Sequence, residues 1–415
     1  MKKLLYILML AAFSMSALFS AEAEKVSDKP ARKAPDWLMK SIICQVPLRS
    51  FTQEGTLAAA TERLGHLAEA GIGCVYLLPI VESDPDQNRA FWSPRQKKSN
   101  TNNPCNPYRI KNYFKIDSEY GTDADLKKFV ERAHELGMKV MLDAVYYHCG
   151  PTADIITTNP DFVVRDENGN VKNGRWLFPE LNFDNPKLRE CQLKAYDANY
   201  CWGIFFRDYF AGLEKAKVKT SKELGKNITW TLSNYPKGAR LLYHYDNHDI
   251  STDSGRSEAV MSYEAADAMT AFLLTIGGVP MLFAGNEIAD RAEYNLFANK
   301  YHNRSVLDWS AAFTEAGKRR LAIVKSLSKI RSERPELYSG ELKWLDSGND
   351  RVVAFERVAG EKKTSVFVSA SDKPVEISAK LSEKPNAYYS SGAKISGSGD
   401  SAKIYLEPYG FALVE

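Results

Sequence analysis

This sequence predicts an α/β fold built on a parallel sheet, followed by a small antiparallel β domain. Three observations carry that expectation. Continuous apolar runs recur at residues 41–46, 73–80, 139–145 and 278–285, as expected of strands buried on both faces. Stretches with apolar residues at helical spacing lie between them, which is the rhythm of repeated strand–helix units. Beyond Gly340 the pattern changes to short alternating segments separated by turns, the mark of an antiparallel sheet.

The chain begins with a targeting pattern. Lys2 and Lys3 precede an apolar run over residues 4–19, and Ala21-Glu22-Ala23 places small residues at a cleavage spacing. Residues 1–23 therefore read as a signal peptide, with a mature chain starting at Glu24 and a periplasmic or secreted destination. The run is short for a membrane span and is broken by serines, and no other stretch could cross a bilayer. A polar linker over 24–36 follows.

The strand–helix region is expected over 37–338. Leu57, Ala60, Leu64, Leu67 and Ala68 form one helix face. Thr122 caps a second helix with Leu126, Phe129, Val130, Ala133 and Leu136 inward, and Gly137 ends it. Residues 278–285 form a late strand, and Leu321, Val324, Leu327 and Ile330 a closing helix. In the β domain, 339–415, alternation over 351–357 breaks at Ala359-Gly360-Glu361-Lys362 and resumes at 365–368. The Ser- and Gly-rich stretch 390–401 reads as a loop, and the last strand covers 406–414.

With 415 residues the chain can hold a large unit and a small one. A formal net charge of +3 is too small to suggest nucleic acid or a membrane surface as partner. Six cysteines in an exported chain permit disulfides without prescribing them. Cys44 and Cys74 sit in apolar runs and read as buried thiols, whereas Cys105 and Cys149 flank site loops and could pair. No cysteine or histidine spacing suits zinc.

Polar residues collect after two of the apolar strands. One run is Asp143-Ala144-Val145-Tyr146-Tyr147-His148 and the other is Tyr245-Asp246-Asn247-His248-Asp249. In a barrel of parallel strands, functional groups sit at such strand ends. These residues carry a resemblance. Residues 143–148 resemble the Asp-x-Val-x-Asn-His block of the alpha-amylase family (glycoside hydrolase family thirteen), and Asn247-His248-Asp249 matches its Asn-His-Asp block. Residues 106–113 resemble the segment with a stacking tyrosine, and 278–288 the block on the last barrel strands. The resemblance implies a (β/α)8 TIM-type barrel with a C-terminal antiparallel β domain. It also implies retaining hydrolysis of α-glucosidic bonds and an α-linked oligosaccharide or glucan as partner. By resemblance Asp249 is the transition-state stabiliser, Tyr108 stacks on the reacting sugar, and Asp143, His148 and His248 bind its hydroxyls.

Other parts depart from the family. Glycoside hydrolysis needs two carboxylates flanking the scissile bond, yet neither the family's Gly-x-Arg-x-Asp nucleophile block nor its acid-bearing glutamate block is recognisable. Residues 179–186 resemble the stretch before strand four, and 194–202 already resemble the stretch after strand five. The chain therefore reads as jumping near Glu190-Cys191, leaving the barrel incomplete, with only a short excursion over 149–186. Residues 203–208 are a poor echo of the nucleophile block. Arg207 and Asp208 would point to opposite faces of a strand, where R-x-D shares one face. Asp208 is a weak nucleophile candidate and Arg207 a substrate-binding one. Glu214 and Glu223 lie in polar stretches with no sign of a raised pKa, and Glu287 is structural in the family. Tyr147 replaces an asparagine that binds calcium in some members, which argues against calcium, and no other cofactor is expected. Three readings follow: an exported glycosidase with unusual carboxylates, a silent sugar- or partner-binding scaffold, and an internally deleted product with little stable fold.

Overall fold

The computed structural model describes residues 26–192, 206–212, 216–301 and 304–415. The N-terminal signal, residues 193–202 with Cys201, the 203–205 stretch and Glu214 lie outside them. Thirteen strands are present among the described residues: β1 (Ile43–Val46), β2 (Cys74–Leu77), β3 (Val81–Ser83), β4 (Ile110–Ile116), β5 (Lys139–Leu142), β6 (Leu242–Tyr243) and β7 (Val279–Phe283), then β8 (Glu341–Leu345), β9 (Val352–Ala359), β10 (Lys362–Ser369), β11 (Val375–Ala379), β12 (Ala387–Ser396) and β13 (Ala402–Val414).

The apolar runs become a curled parallel sheet in the order β5-β2-β1-β7-β6. Ile43 pairs with Cys74 on one side and with Met281 on the other. Pairing the first strand with the last is how a barrel closes. Here closure is incomplete: among the described residues β5 and β6 are the two ends of the sheet. β1, β2 and β7 are buried along their length, but Leu142 at the end of β5 is 51% exposed.

Helices pack on the outer side of this sheet. The helix Leu57–Glu69 is capped by Thr56 and buries Leu57, Ala60, Leu64 and Leu67. The helix Asp123–Glu135 starts with a reciprocal capping box between Thr122 and Asp125 and buries Phe129 and Ala133. Its chain leaves through Gly137 at φ +78°. The helix Tyr263–Thr275 is buried from Ala265 to Thr275 because it is covered on both sides. The helices Phe206–Ala211 and Glu315–Glu333 pack against it, as do β10 and β13 of the second sheet, which is ordered β11-β13-β10-β9-β8. Phe272 on this helix meets Phe355 of β9 edge-on at 5.9 Å. The two sheets thus share one continuous core. Gly277 and Gly278 both have positive φ, and a Cβ on Gly278 would lie 2.4 Å from the Tyr243 ring. Only glycine lets this turn pass so close to β6.

Two expectations change. The stretch read as a loop contains most of β12, which pairs with β13 from Ala387 to Ser396 through irregularities at 387–389 and 391–393. Gly392 at φ +58° lies at the second of these. A bulged strand tolerates the Ser and Gly content that suggested a loop. Cys105 and Cys149 are unpaired thiols, as are Cys44 and Cys74.

A buried charge cluster ties the ends of β6 and β7 to the closing helix Glu315–Glu333. Arg320 donates to Glu258 (2.7 Å), Asp267 (2.6 Å) and the Asn286 carbonyl (2.9 Å). Removing one member of a buried pair strands the other charge. Arg320→Met should therefore lower unfolding free energy by about 3–5 kcal/mol. Urea melts of the two proteins check this, and coincident curves would show the cluster to be dispensable.

Candidate active site

The parallel strands end on one face, and the predicted site residues follow two of them. After β6 the chain runs through Asp246, fully buried, into the helix His248–Ser254. Asp246 accepts from the Ser257 amide (2.9 Å), the Ser257 hydroxyl (2.8 Å) and Asn286 (3.1 Å). Asn247 caps the helix, its Oδ1 accepting from the Asp249 and Ile250 amides. The His248 amide donates to Gln45 Oε1 of β1 at 3.1 Å. Asn247 thus turns the chain so that Asp249 enters the first helical turn and reaches the mouth of the sheet.

At that mouth Asp249 is paired. Arg95 Nη1 lies 2.6 Å from one oxygen, and His248 Nε2 lies 3.4 Å from the other. The same guanidinium reaches Asp253 one turn on, with Nε 2.8 Å away. Arg95 comes from the short helix Pro94–Lys98, which Ser93 caps. Nothing in the sequence marks this arginine, because it lies in a polar stretch with no motif and 154 positions from its partner.

Asp143 follows β5. Its Oδ2 accepts from two phenols, Tyr76 at 2.8 Å and Tyr108 at 2.7 Å. The Tyr108 ring stacks on His248 with centroids 5.1 Å apart and planes 17° apart. Tyr108 therefore links the two strand ends, and His248 covers one of its faces. Burial lowers the His248 pKa, while Asp249 and then Asp143 oppose that. Asp143, Tyr108, His248 and Asp249 thus form one contact network.

His148 stands five residues beyond Asp143 among aromatic rings, with Phe178 at 4.7 Å and Trp176 at 5.6 Å. No hydrogen bond or ring contact joins it to the network among the described residues. Burial lowers its pKa to about 4. His244 is buried behind the mouth, and burial lowers its pKa to about 3. His148 Nδ1, Asn247 Nδ2 and His248 Nδ1 are buried without hydrogen-bond partners among the described residues.

The remaining candidates lie elsewhere. Arg207 donates to the carbonyls of Ser254 and Gly255 at 2.7 Å each and approaches Asp246 at 3.4 Å. It closes the end of the helix that carries Asp249, so it positions the site where substrate contact was expected. Asp208 is on the helix Phe206–Ala211, not at a strand end, and accepts from the Lys217 amide. It borders a cavity with Arg351, Ala370 and Tyr409 of the β domain, and no contact joins it to Asp249 among the described residues. Glu223 closes a capping box, and amide donation from Lys219 and Thr220 lowers its pKa, the opposite of what a general acid needs. Glu287 is buried and accepts from the Gly285 amide. Among the described residues no group of three His, Cys, Asp or Glu side chains could hold a metal ion.

The buried histidines set a pH dependence. His148 and His244 titrate at about 4 and about 3 in the native chain, against 6.5 for exposed histidine. From pH 6.5 downwards the unfolded chain takes up protons that the native chain refuses, so stability falls with acidification over that window. For His148 the loss is at most roughly 3 kcal/mol. Melting temperatures between pH 7 and 4 should fall less steeply for His148→Gln than for the parent, and identical slopes would refute the assignment.

A family model described as alpha amylase, catalytic domain, matches residues 25–166. The chain is 23% identical to the alpha-amylase MalA of Haloarcula japonica over 83% of its own length and 57% of that protein's. It is 23% identical to a cyclomaltodextrinase of a Bacillus species over 71% of its length and 53% of that protein's. It thus spans little more than half of these two relatives. Among solved structures, the maltogenic alpha-amylase AmyB of Thermotoga neapolitana superposes with a TM-score of 0.71 at 21% identity, covering 91% of this chain and 99% of that one. An alpha-amylase of Lactobacillus plantarum gives 0.71 at 19% identity over the same shares. The chain therefore matches the alpha-amylase catalytic domain in its N-terminal part and has the fold of solved alpha-amylases along most of its length.

Proposed function

We propose that this is an exported protein of the alpha-amylase type that binds α-linked glucooligosaccharides at the mouth formed by Tyr108, Asp143, His148, His248 and Asp249. In this reading its ancestral chemistry, retaining hydrolysis of α-glucosidic bonds, is impaired. The observation that carries the binding half is the network joining Asp143, Tyr108, His248 and Asp249 across the two strand ends. It presents acceptors and donors already held in place, so a sugar meets them at little cost in reorganisation. AmyP, which shares the fold at a TM-score of 0.70 and 16% identity, has been solved with maltotriose, which supports this ligand class.

The catalytic half of the reading rests on roles. Asp249 can stabilise an oxocarbenium-like state, but a stabiliser alone breaks no bond. A nucleophile must approach the anomeric carbon, and an acid must protonate the leaving oxygen. Asp208 and Glu223 sit on helices away from the mouth, and both carboxylates accept backbone amides. Arg95 adds a second constraint, because its ion pair competes with sugar hydroxyls for Asp249. We place the loss in strand–helix units four and five, where the family carries both bond-breaking carboxylates. The continuous core weighs against a deletion product with little stable fold.

The test compares maltoheptaose binding and reducing-sugar release for the mature chain and for Asp249→Ala. The expected outcome is weak binding that the substitution reduces about tenfold or more, with no release above the control. Release by the parent, lost in Asp249→Ala and in Asp208→Asn, would make it an active glycosidase with Asp208 as nucleophile. A folded chain that binds no α-glucan would leave the partner-binding scaffold as the better reading. Export has its own check: N-terminal sequencing of the protein from a periplasmic extract should begin at Glu24, and retention of Met1 would overturn it.

A further inference from the structure

A cleft of about 590 Å³ lies between the helix Ser221–Ser233 and the edge of the C-terminal sheet at β8 and β9. It shares no residue with the mouth. The helix turns Leu224, Gly225, Ile228 and Thr231 inward. Its next flank carries Lys222, Lys226, Thr229 and Trp230 into the cleft, and β8 supplies Trp344, followed by Asp346.

The two tryptophans differ in how they are held. A Cβ on Gly225 would lie 3.3 Å from the Trp344 ring, so the indole packs closely against the helix at this glycine. Trp344 Nε1 donates to Thr229 Oγ1 at 3.3 Å, and its ring meets Phe355 edge-on. Trp344 is thereby fixed as a rigid wall. Trp230 is 65% exposed. An indole left this open at the rim of a cleft invites a ligand with a flat apolar face.

The rest of the lining narrows the chemistry. Lys222 pairs with Asp346 at 3.5 Å, so the charges at the rim partly cancel. Lys226 and Thr229 supply donors and an acceptor beside the rings. Aromatic faces flanked by hydroxyl, ammonium and carboxylate groups suit a pyranose, whose C–H face stacks while its hydroxyls hydrogen-bond at the edge. The volume falls in the range of small-ligand sites. A protein partner would need a contact surface on the order of 1,000 Å² or more, and a cleft of this size supplies too little.

We propose that this cleft is a second oligosaccharide-binding site, with Trp230 as its stacking platform and Trp344 as its fixed wall. It would hold a neutral glycan away from the mouth, so that one chain grips two stretches of a polymer or two separate oligomers. The choice of an α-glucan as ligand rests on the function proposed above, whereas the site rests on the cleft alone.

Calorimetry of the full mature chain with maltoheptaose, and in parallel with cellohexaose, tests it. Trp230 is largely exposed, so Trp230→Ala should fold normally. We expect this substitution to weaken one of two binding events about tenfold or more and to leave the Asp249-dependent event unchanged. Trp230→Phe should restore most of the affinity, and Asp249→Ala should show the converse pattern. If Asp249→Ala is silent while Trp230→Ala removes all maltoheptaose binding, the mouth reading fails and the cleft stands. Binding of cellohexaose alone, lost in Trp230→Ala, keeps the site and changes its ligand to a β-glucan. Parent-like binding of both sugars by Trp230→Ala, or no binding of either sugar by the parent, overturns the proposal.

Discussion

Arg320 is the constraint on which the geometry of the mouth depends. It is fully buried on the closing helix and bonded to Glu258, Asp267 and the Asn286 carbonyl. Asn286, just after β7, donates in turn to Asp246 and Glu258. Asp246 immediately precedes the Asn-His-Asp triplet. One guanidinium therefore locks the exits of two neighbouring strands to each other and to the helix behind them. Burial pushes the Glu258 pKa up to about 7 and Arg320 holds it down. Charges placed so deeply are tolerated only when every partner is present, and this makes the cluster a device for fixing position.

A second consequence concerns the open side of the sheet. β1, β2 and β7 are enclosed by neighbours, and the arginine cluster anchors the β7 end. β5 has no comparable anchor. Its far edge is open among the described residues, and its end is held by the Asp143 amide on the Leu77 carbonyl, by the phenols of Tyr76 and Tyr108 on the Asp143 carboxylate, and by the Tyr113 phenol on the carbonyls of Val145 and His148. The half of the site that contains Asp249 is thus braced by buried charge. The half that contains Asp143 and His148 is held by phenol and amide hydrogen bonds and by aromatic contacts.

Much of the frame was legible in the sequence. Residues 73–80 and 278–285 announce buried strands because apolar residues fill every position. Thr122 announces a helix start because its side chain and Asp125 satisfy each other's amides. Asn247-His248-Asp249 was legible as a candidate site through its match to the Asn-His-Asp block of the alpha-amylase family, and the structure sets it shortly after β6. Arg95 was not legible, since its role comes from a loop folded back across the mouth by local turns at Asn88, Ser93 and Asn103. Arg207 was misread because an arginine beside an aspartate echoes a catalytic block, while the structure uses it to close a helix end. Trp230 and Trp344 lie far apart in sequence and become one feature only when the helix and β8 meet. β12 was hidden by its serines and glycines, which a strand accepts when bulges break its register.

Binding and bond cleavage make different demands on such a sheet. Bond cleavage requires groups that act more strongly on the transition state than on the bound sugar. Those groups must stand on either side of the scissile bond at a fixed separation. Holding a sugar asks for less: acceptors, donors and an aromatic face along one arc. The described sheet supplies such an arc, with Gln45 beneath it and the arginine cluster behind it. Arg95 fits this division. An arginine against the stabilising carboxylate would oppose the build-up of positive charge on a reacting sugar, yet it holds the Asp249 carboxylate in place at 2.6 Å. Under the function proposed above, a stabiliser already paired with a fixed cation suits recognition more than turnover.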